Sequence, residues 1–480
     1  MKKTLLLCTL AALASCGGHP ALQYTTTADK SQLFAESRVE PVRKASAEDV
    51  IRIGTETFQT VEGFGAALTV SSGYNLLKMP QEDRTAFLRE MYDPKDGIGS
   101  SLIRLCIGGS DFSWDYEHPS GGRYTWCDEP GMEHFAPHEM DLKYVLPVLK
   151  EIFAINPDVR LIGSPWTCPP WMKLDRDLKE PYESWTGGRL NPAYYQDYAD
   201  YFVRWIQYFE SQGFPIYGIT PQNEPLNAGN SMSMLMYWDD CRNFVKVLGP
   251  AFEKAGLDTK ILIFDHNYNY DRMEEQQQQQ YPLKVYADPE AAKYVAGSAW
   301  HDYGGDVSEL DRIVAAAPDK EIWFTEASIG TWNYRFERSL LRDYRNIFLG
   351  TLARQGKGVV LWNLMLDDKK GPYTNFKGSC MTCYGAVNVA TYAFSEIDRS
   401  THWYNIAHAS KVVRPGAVRL GTEGTVEGLE CLVFRNPDRS LGILLLNATD
   451  ADLSPVLQGR KHQLPLFVPA RSLVSLRWKD

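Results

Sequence analysis

A (β/α)8 barrel with a small β-sandwich appended is the fold class that this 480-residue sequence predicts. Three observations carry it. Short apolar runs of strand length alternate with longer stretches of helical periodicity from residue 61 to 404. Two of the apolar runs end abruptly in a glutamate, as strands do where they reach the mouth of a barrel. Beyond residue 405 the helical periodicity gives way to strand-like segments separated by turns, at 417–420, 429–434, 440–447 and 472–478.

Taken in order, the chain opens with a targeting signal. Met1-Lys2-Lys3 is a basic region, and residues 4–14 are an apolar stretch too short to span a bilayer. Leu13-Ala14-Ser15-Cys16 resembles a bacterial lipobox, so residues 1–16 read as a lipoprotein signal with Cys16 as the lipidated residue. An ordinary signal peptide cut nearby is the alternative. The lipid would anchor an exported protein at the periplasmic or outer face of a bacterial membrane, the membrane being a partner through that lipid only. Residues 17–45 are polar and irregular and read as a tether. Within 46–60 two short strands are expected, which either precede the barrel or join the sandwich.

The barrel itself is expected over 61–404. Its strands are placed at 63–68, 101–107, 159–164, 216–219, 260–265, 294–300, 321–326 and 358–364, with helices at 142–153, 194–212, 237–255, 310–317 and 340–354. In the second of these helices Tyr198, Tyr201, Phe202, Trp205 and Phe209 recur at helical spacing and define one apolar face. Residues 405–480 complete the chain as the C-terminal β-sandwich.

Composition narrows the function. The net charge is −10 and no run of five Lys or Arg occurs, which argues against nucleic acid or an anionic lipid surface as a partner. Nine cysteines become an odd number once Cys8 and Cys16 of the signal are set aside, so a full disulfide framework is not implied. Cys380 and Cys383 are the one close pair. With no second pair or nearby His to complete a zinc site, they are either a local disulfide or two free thiols, and neither metal nor cofactor is expected.

The chemistry is concentrated at two strand ends. Ile216-Tyr217-Gly218-Ile219 runs into Thr220-Pro221-Gln222-Asn223-Glu224-Pro225, and Glu321-Ile322-Trp323-Phe324-Thr325 runs into Glu326. The two acids are about 100 residues apart, room for about three strand–helix units of roughly 30 residues each. Strands four and seven of a barrel could therefore aim both side chains into one cleft. Two facing carboxylates are what a retaining glycoside hydrolase requires, one as acid/base and one as nucleophile. Glu224 is expected as the acid/base, with a pKa raised by apolar surroundings or by the facing carboxylate, and Glu326 as the ionised nucleophile.

Further motifs extend this reading. They include Val61-Glu62-Gly63-Phe64-Gly65-Ala66-Ala67-Leu68-Thr69, Ile103-Arg104, Gly108-Gly109-Ser110-Asp111-Phe112 and Ser164-Pro165-Trp166-Thr167-Cys168-Pro169-Pro170-Trp171-Met172-Lys173. With Asn223-Glu224-Pro225, Thr325-Glu326, Leu361-Trp362-Asn363-Leu364 and Val413-Arg414-Pro415-Gly416, they resemble glycoside hydrolase family 30, which includes lysosomal glucosylceramidase and microbial β-1,6-glucanases. Trp300-His301-Asp302-Tyr303-Gly304-Gly305-Asp306 and the stretch 378–385 are similar to the microbial endo-β-1,6-glucanase branch.

The resemblance implies a β-glucan substrate cleaved by double displacement. An exo-acting β-glucosidase or glucosylceramidase-like hydrolase is the alternative within the family, and a tethered glycan-binding module without catalysis the alternative outside it. It further implies that Arg104 pairs with the nucleophile and that Asp111 binds hydroxyls at the far end of the sugar. Asn223 is expected on the 2-hydroxyl, Trp166 and Trp362 as walls of the sugar pocket, and Tyr303 as a hydrogen-bond partner of Glu326.

Overall fold

The computed structural model describes residues 18–45, 49–270 and 275–480. Cys16 and the signal lie outside them. Eight parallel strands close into a barrel: β1 (Gly63–Ala67), β2 (Leu102–Cys106), β3 (Arg160–Ser164), β4 (Ile216–Ile219), β5 (Lys260–Asn267), β6 (Val295–His301), β7 (Glu321–Glu326) and β8 (Gly356–Leu361). Leu102, Ile162, Leu262, Ala299, Trp323 and Val360 point inward from six of these strands and fill the interior, so the barrel is a packed core rather than a pore. Gly65 is needed where β1 meets β2, because a Cβ there would stand 1.8 Å from the carbonyl oxygen of Leu102. The expected helix at 194–212 forms as Tyr195–Ser211, with Tyr198, Tyr201, Phe202, Trp205 and Phe209 all buried.

The tether expected at 17–45 is instead structured over its described residues, 18–45. Ala21–Thr27 and Ala35–Val39 pair with each other, and Ala21–Thr27 also pairs with Ser472–Trp478. The segment looked irregular because its apolar residues are few. Threonine is a strand former, however, and Tyr24 buries itself by stacking on Phe34, their centroids 4.7 Å apart. Val50–Val61 is one long strand paired with Ala417–Glu423. These strands and the C-terminal ones make a single nine-stranded sheet. Ala21 and Leu464, on strands from opposite ends of that sheet, share one apolar cluster, so the sheet folds over on itself around a second core.

The boundary expected at 405 falls inside a helix, Thr401–Val412, that the sequence did not signal. Eleven of its twelve residues are buried, including His402, Asn405, His408 and Ser410. A helix enclosed on all sides has no polar face, and so no amphipathic stripe to read. His408 bridges it to the sheet, its ring nitrogens 2.9 Å from Ser475 Oγ and 2.8 Å from Thr26 Oγ1. Among the described residues no helix is long and apolar enough to cross a membrane.

Candidate active site

The carboxyl ends of the barrel strands surround a cavity of about 400 Å³. Asp111, Trp166, Glu224, Tyr303, Glu326 and Trp362 line it, so six of the residues singled out in the sequence converge on one space. Asn223 is not among the lining residues. It lies just below the wall, where its Oδ1 accepts from Arg104 Nη2 at 2.7 Å.

Glu224 follows β4 with a left-handed backbone, φ +46°. That conformation is costly for a residue with a side chain and persists only when neighbours impose it. Here its amide donates to the carbonyl of Asp265 at 3.0 Å. Its Oε2 accepts from the amides of Asn227 at 2.8 Å and Asn230 at 2.6 Å, and its Oε1 lies 3.3 Å from His301 Nδ1. Glu326 ends β7. Its Oε2 accepts from Arg104 Nη1, and its Oε1 accepts from the Tyr303 hydroxyl at 2.9 Å. One carboxylate oxygen each from Glu224 and Glu326 and one His301 ring nitrogen lie within 4.8 Å of one another. That spacing suits the roughly 5–5.5 Å carboxyl separation of retaining glycosidases better than the about 6.5–9.5 Å of an inverting pair.

Arg104 is fully buried beneath the two acids. Besides Glu326 and Asn223 it donates to Asp265 Oδ2 at 2.8 Å and Ser164 Oγ at 3.2 Å. Its guanidinium sits 5.0 Å from the Trp166 ring and 5.6 Å from Trp362, whose centroids are 4.9 Å apart. A charge so deep is tolerated because anionic partners and cation–π contacts replace its water.

Two residues of this network were not assigned a role from sequence. Asp265 links Arg104 to His301, its Oδ1 3.0 Å from His301 Nε2 and accepting from Thr325 Oγ1 at 2.6 Å. A bulge at the end of β5, with Phe264 and Asp265 both at positive φ, turns it inward. The signal was present: Lys260-Ile261-Leu262-Ile263-Phe264-Asp265 is another apolar strand ending in an acid. His301 stood in the motif Trp300–Asp306 with no role attached to it.

Charges within the network set the proton positions. Burial opposes protonation of His301, but Glu326, Asp265 and Glu224 around it prevail and push its pKa up to about 9. As an imidazolium it donates from both nitrogens. Burial would raise Glu224, yet the hydrogen bond from His301, the histidine charges and the Asn227 amide hold it down to about 2. The raised Glu224 expected from sequence is therefore not what the structure shows. Glu326 is raised from its ordinary value, by burial first, against the pull of His301 and Arg104. Burial also pushes Asp111 up to about 8. In this arrangement the mobile proton of the site rests on His301, beside Glu224.

Comparison with known proteins decides the family. The model of the glycosyl hydrolase family 30 TIM-barrel domain matches residues 61–413, and that of the family's β-sandwich domain matches residues 416–476. The chain belongs to glycosyl hydrolase family 30. Among family members, an endo-1,6-β-D-glucanase of Neurospora crassa is 30% identical over 401 residues, covering 81% of this chain and 78% of its own. The lysosomal acid glucosylceramidase of Mus musculus is 26% identical over 426 residues, covering 82% and 76%. Of solved structures, the endo-beta1,6-glucanase BT3312 superposes with a TM-score of 0.91 at 46% identity, over 96% of this chain and 99% of its own. Family membership agrees with the two-glutamate site built above.

Proposed function

We propose that this protein is a retaining endo-β-1,6-glucanase with Glu326 as nucleophile and Glu224 as acid/base. The observation that carries the mechanism is the close approach of the two carboxylates across one cavity. The choice of substrate is supported by the similarity to the endo-beta1,6-glucanase BT3312 and to the Neurospora crassa enzyme.

In the first step Glu326 attacks the anomeric carbon, and the bond to the leaving glycosidic oxygen breaks with its electrons remaining on that oxygen. Glu224 supplies the proton that oxygen takes up. Because this proton rests on His301, it must first pass from Nδ1 to Glu224 along their 3.3 Å contact. Sugar binding favours that transfer, since excluding water from a buried carboxylate penalises its charged form. In the second step Glu224 takes a proton from water, which attacks the anomeric carbon and releases Glu326. Arg104 and Tyr303 hold the nucleophile in place throughout, and the paired rings of Trp166 and Trp362 offer apolar faces to the sugar. Asn223 reaches the 2-hydroxyl if its amide nitrogen turns to the pocket while Oδ1 stays on Arg104.

The test is to incubate purified protein with linear β-1,6-glucan, β-1,3-glucan and an aryl β-glucoside and to size the products. Short oligosaccharides from the first alone are expected. Glucose as the sole product from chain ends would favour the exo-acting reading, which the similarity to glucosylceramidase keeps open.

For location, we propose export and anchoring through a lipid on Cys16. The Cys380–Cys383 disulfide supports an oxidising compartment. Cys16→Ser is expected to move the protein from the membrane to the soluble fraction, and retention on membranes would count against the anchor.

A further inference from the structure

We propose that the Cys380–Cys383 disulfide is a positioning element of the sugar pocket that acts through Asp111. The inference rests on the glycosidase reading of the same site. Both cysteines line the cavity that holds Glu224 and Glu326. Among the described residues Cys106, Cys127, Cys168, Cys241 and Cys431 are free, so this bond is distinguished by its place at the site.

The disulfide closes the turn Cys380–Cys383, and the loop 374–380 leading into it holds Asp111 at two points. The Cys380 amide donates to Asp111 Oδ2 at 3.1 Å, and the Thr374 amide donates to the Asp111 carbonyl at 2.8 Å. On its other flank Cys383 pairs with Gly330 in a short antiparallel ladder, and the Thr331 amide donates to the Thr382 carbonyl at 3.0 Å. That ladder joins the segment to the chain just after Glu326. Gly378 completes the arrangement at φ +97°, where a Cβ would lie 2.0 Å from the carbonyl oxygen of Gly229, against the backbone of the residue before Asn230, whose side-chain amide holds Glu224.

Lys377, Gly378, Met381 and Thr382 are exposed, and apolar burial in this segment is confined to the disulfide itself, Cys383 being buried and Cys380 half-buried in the cluster that includes Trp166 and Trp362. A covalent link does what packing does elsewhere, by removing conformations the open loop would otherwise sample. Opening the bond frees Cys380 from register with Asp111. A group that contacts the sugar equally before and during reaction affects KM rather than kcat.

The experiment compares oxidised enzyme with enzyme reduced by a phosphine and alkylated, on an aryl β-glucoside and on β-1,6-glucan. Reduction is expected to raise KM about tenfold with kcat nearly unchanged, the effect of losing one hydrogen bond to a buried acid. The Cys380→Ser/Cys383→Ser variant should match the reduced wild type, while thermal unfolding reports whether the fold survives. In an Asp111→Ala background, reduction should add no further rise in KM, because the link acts through the missing side chain. An unchanged KM on reduction of the wild type, or an equal rise with and without Asp111, overturns the proposal. Failure to hydrolyse any β-glucoside in the oxidised form overturns the glycosidase reading and this inference with it.

Discussion

Glu326→Gln is expected to reduce turnover on β-1,6-glucan by roughly 10⁴-fold or more while leaving the fold intact, because the amide keeps the shape of the side chain but cannot form the glycosyl-enzyme. The fold should survive for a specific reason. Arg104 keeps Asp265 as a buried counter-charge at 2.8 Å, so removing one anion does not strand the guanidinium. The amide oxygen can stay on Arg104, and the Tyr303 hydroxyl can accept from the new amide nitrogen while donating to Ser328 Oγ at 3.0 Å. Steady-state rates together with a thermal unfolding curve check the result, and hydrolysis at a near wild-type rate would remove Glu326 from the mechanism.

The second large effect is expected at Glu224. Glu224→Ala should cost about 10²–10⁴-fold on glucan, the usual worth of a positioned proton donor. Substrates whose leaving group needs no proton should escape most of that loss in the first step. Azide, small enough for the space vacated beside the amides of Asn227 and Asn230, should then attack the glycosyl-enzyme and yield a β-glycosyl azide. No rescue with either would argue against an acid/base role.

The pH dependence has a definite sign. In the free enzyme the proton for Glu224 is stored on His301, whose pKa is raised to about 9. A raised pKa keeps the proton in place below that value and loses it above, so wild-type kcat/KM should fall as pH rises through about 9. With an activated substrate that alkaline limb should vanish in Glu224→Ala. The acid limb belongs to Glu326, whose burial raises it from its ordinary value.

Much of this site was legible because strand ends are local events. An apolar run that breaks at an acid is visible at Glu224 and Glu326, and motif resemblance added Arg104, Asp111, Trp166, Trp362 and Tyr303. Asp265 carried the same local signal but stayed unassigned, since its importance comes from pairing with Arg104, more than a hundred positions earlier in the chain. The strand at Ala21–Thr27 and the helix at Thr401–Val412 were missed for a related reason. Each owes its stability to a surface contributed from far along the sequence, Ser472–Trp478 in the first case and the sheet it meets through His408 in the second.

Alternation of strands and helices, the two glutamates and the family motifs could thus be read from sequence, because periodicity and short motifs depend on neighbours within a few residues. Where the mobile proton rests, whether Cys380 and Cys383 are joined, and where Asn223 stands depended on the closed barrel. Those properties arise from charges and backbone groups on separate strands brought within a few ångströms, and Coulomb energies and hydrogen bonds take their size from distance in space, not from separation along the chain.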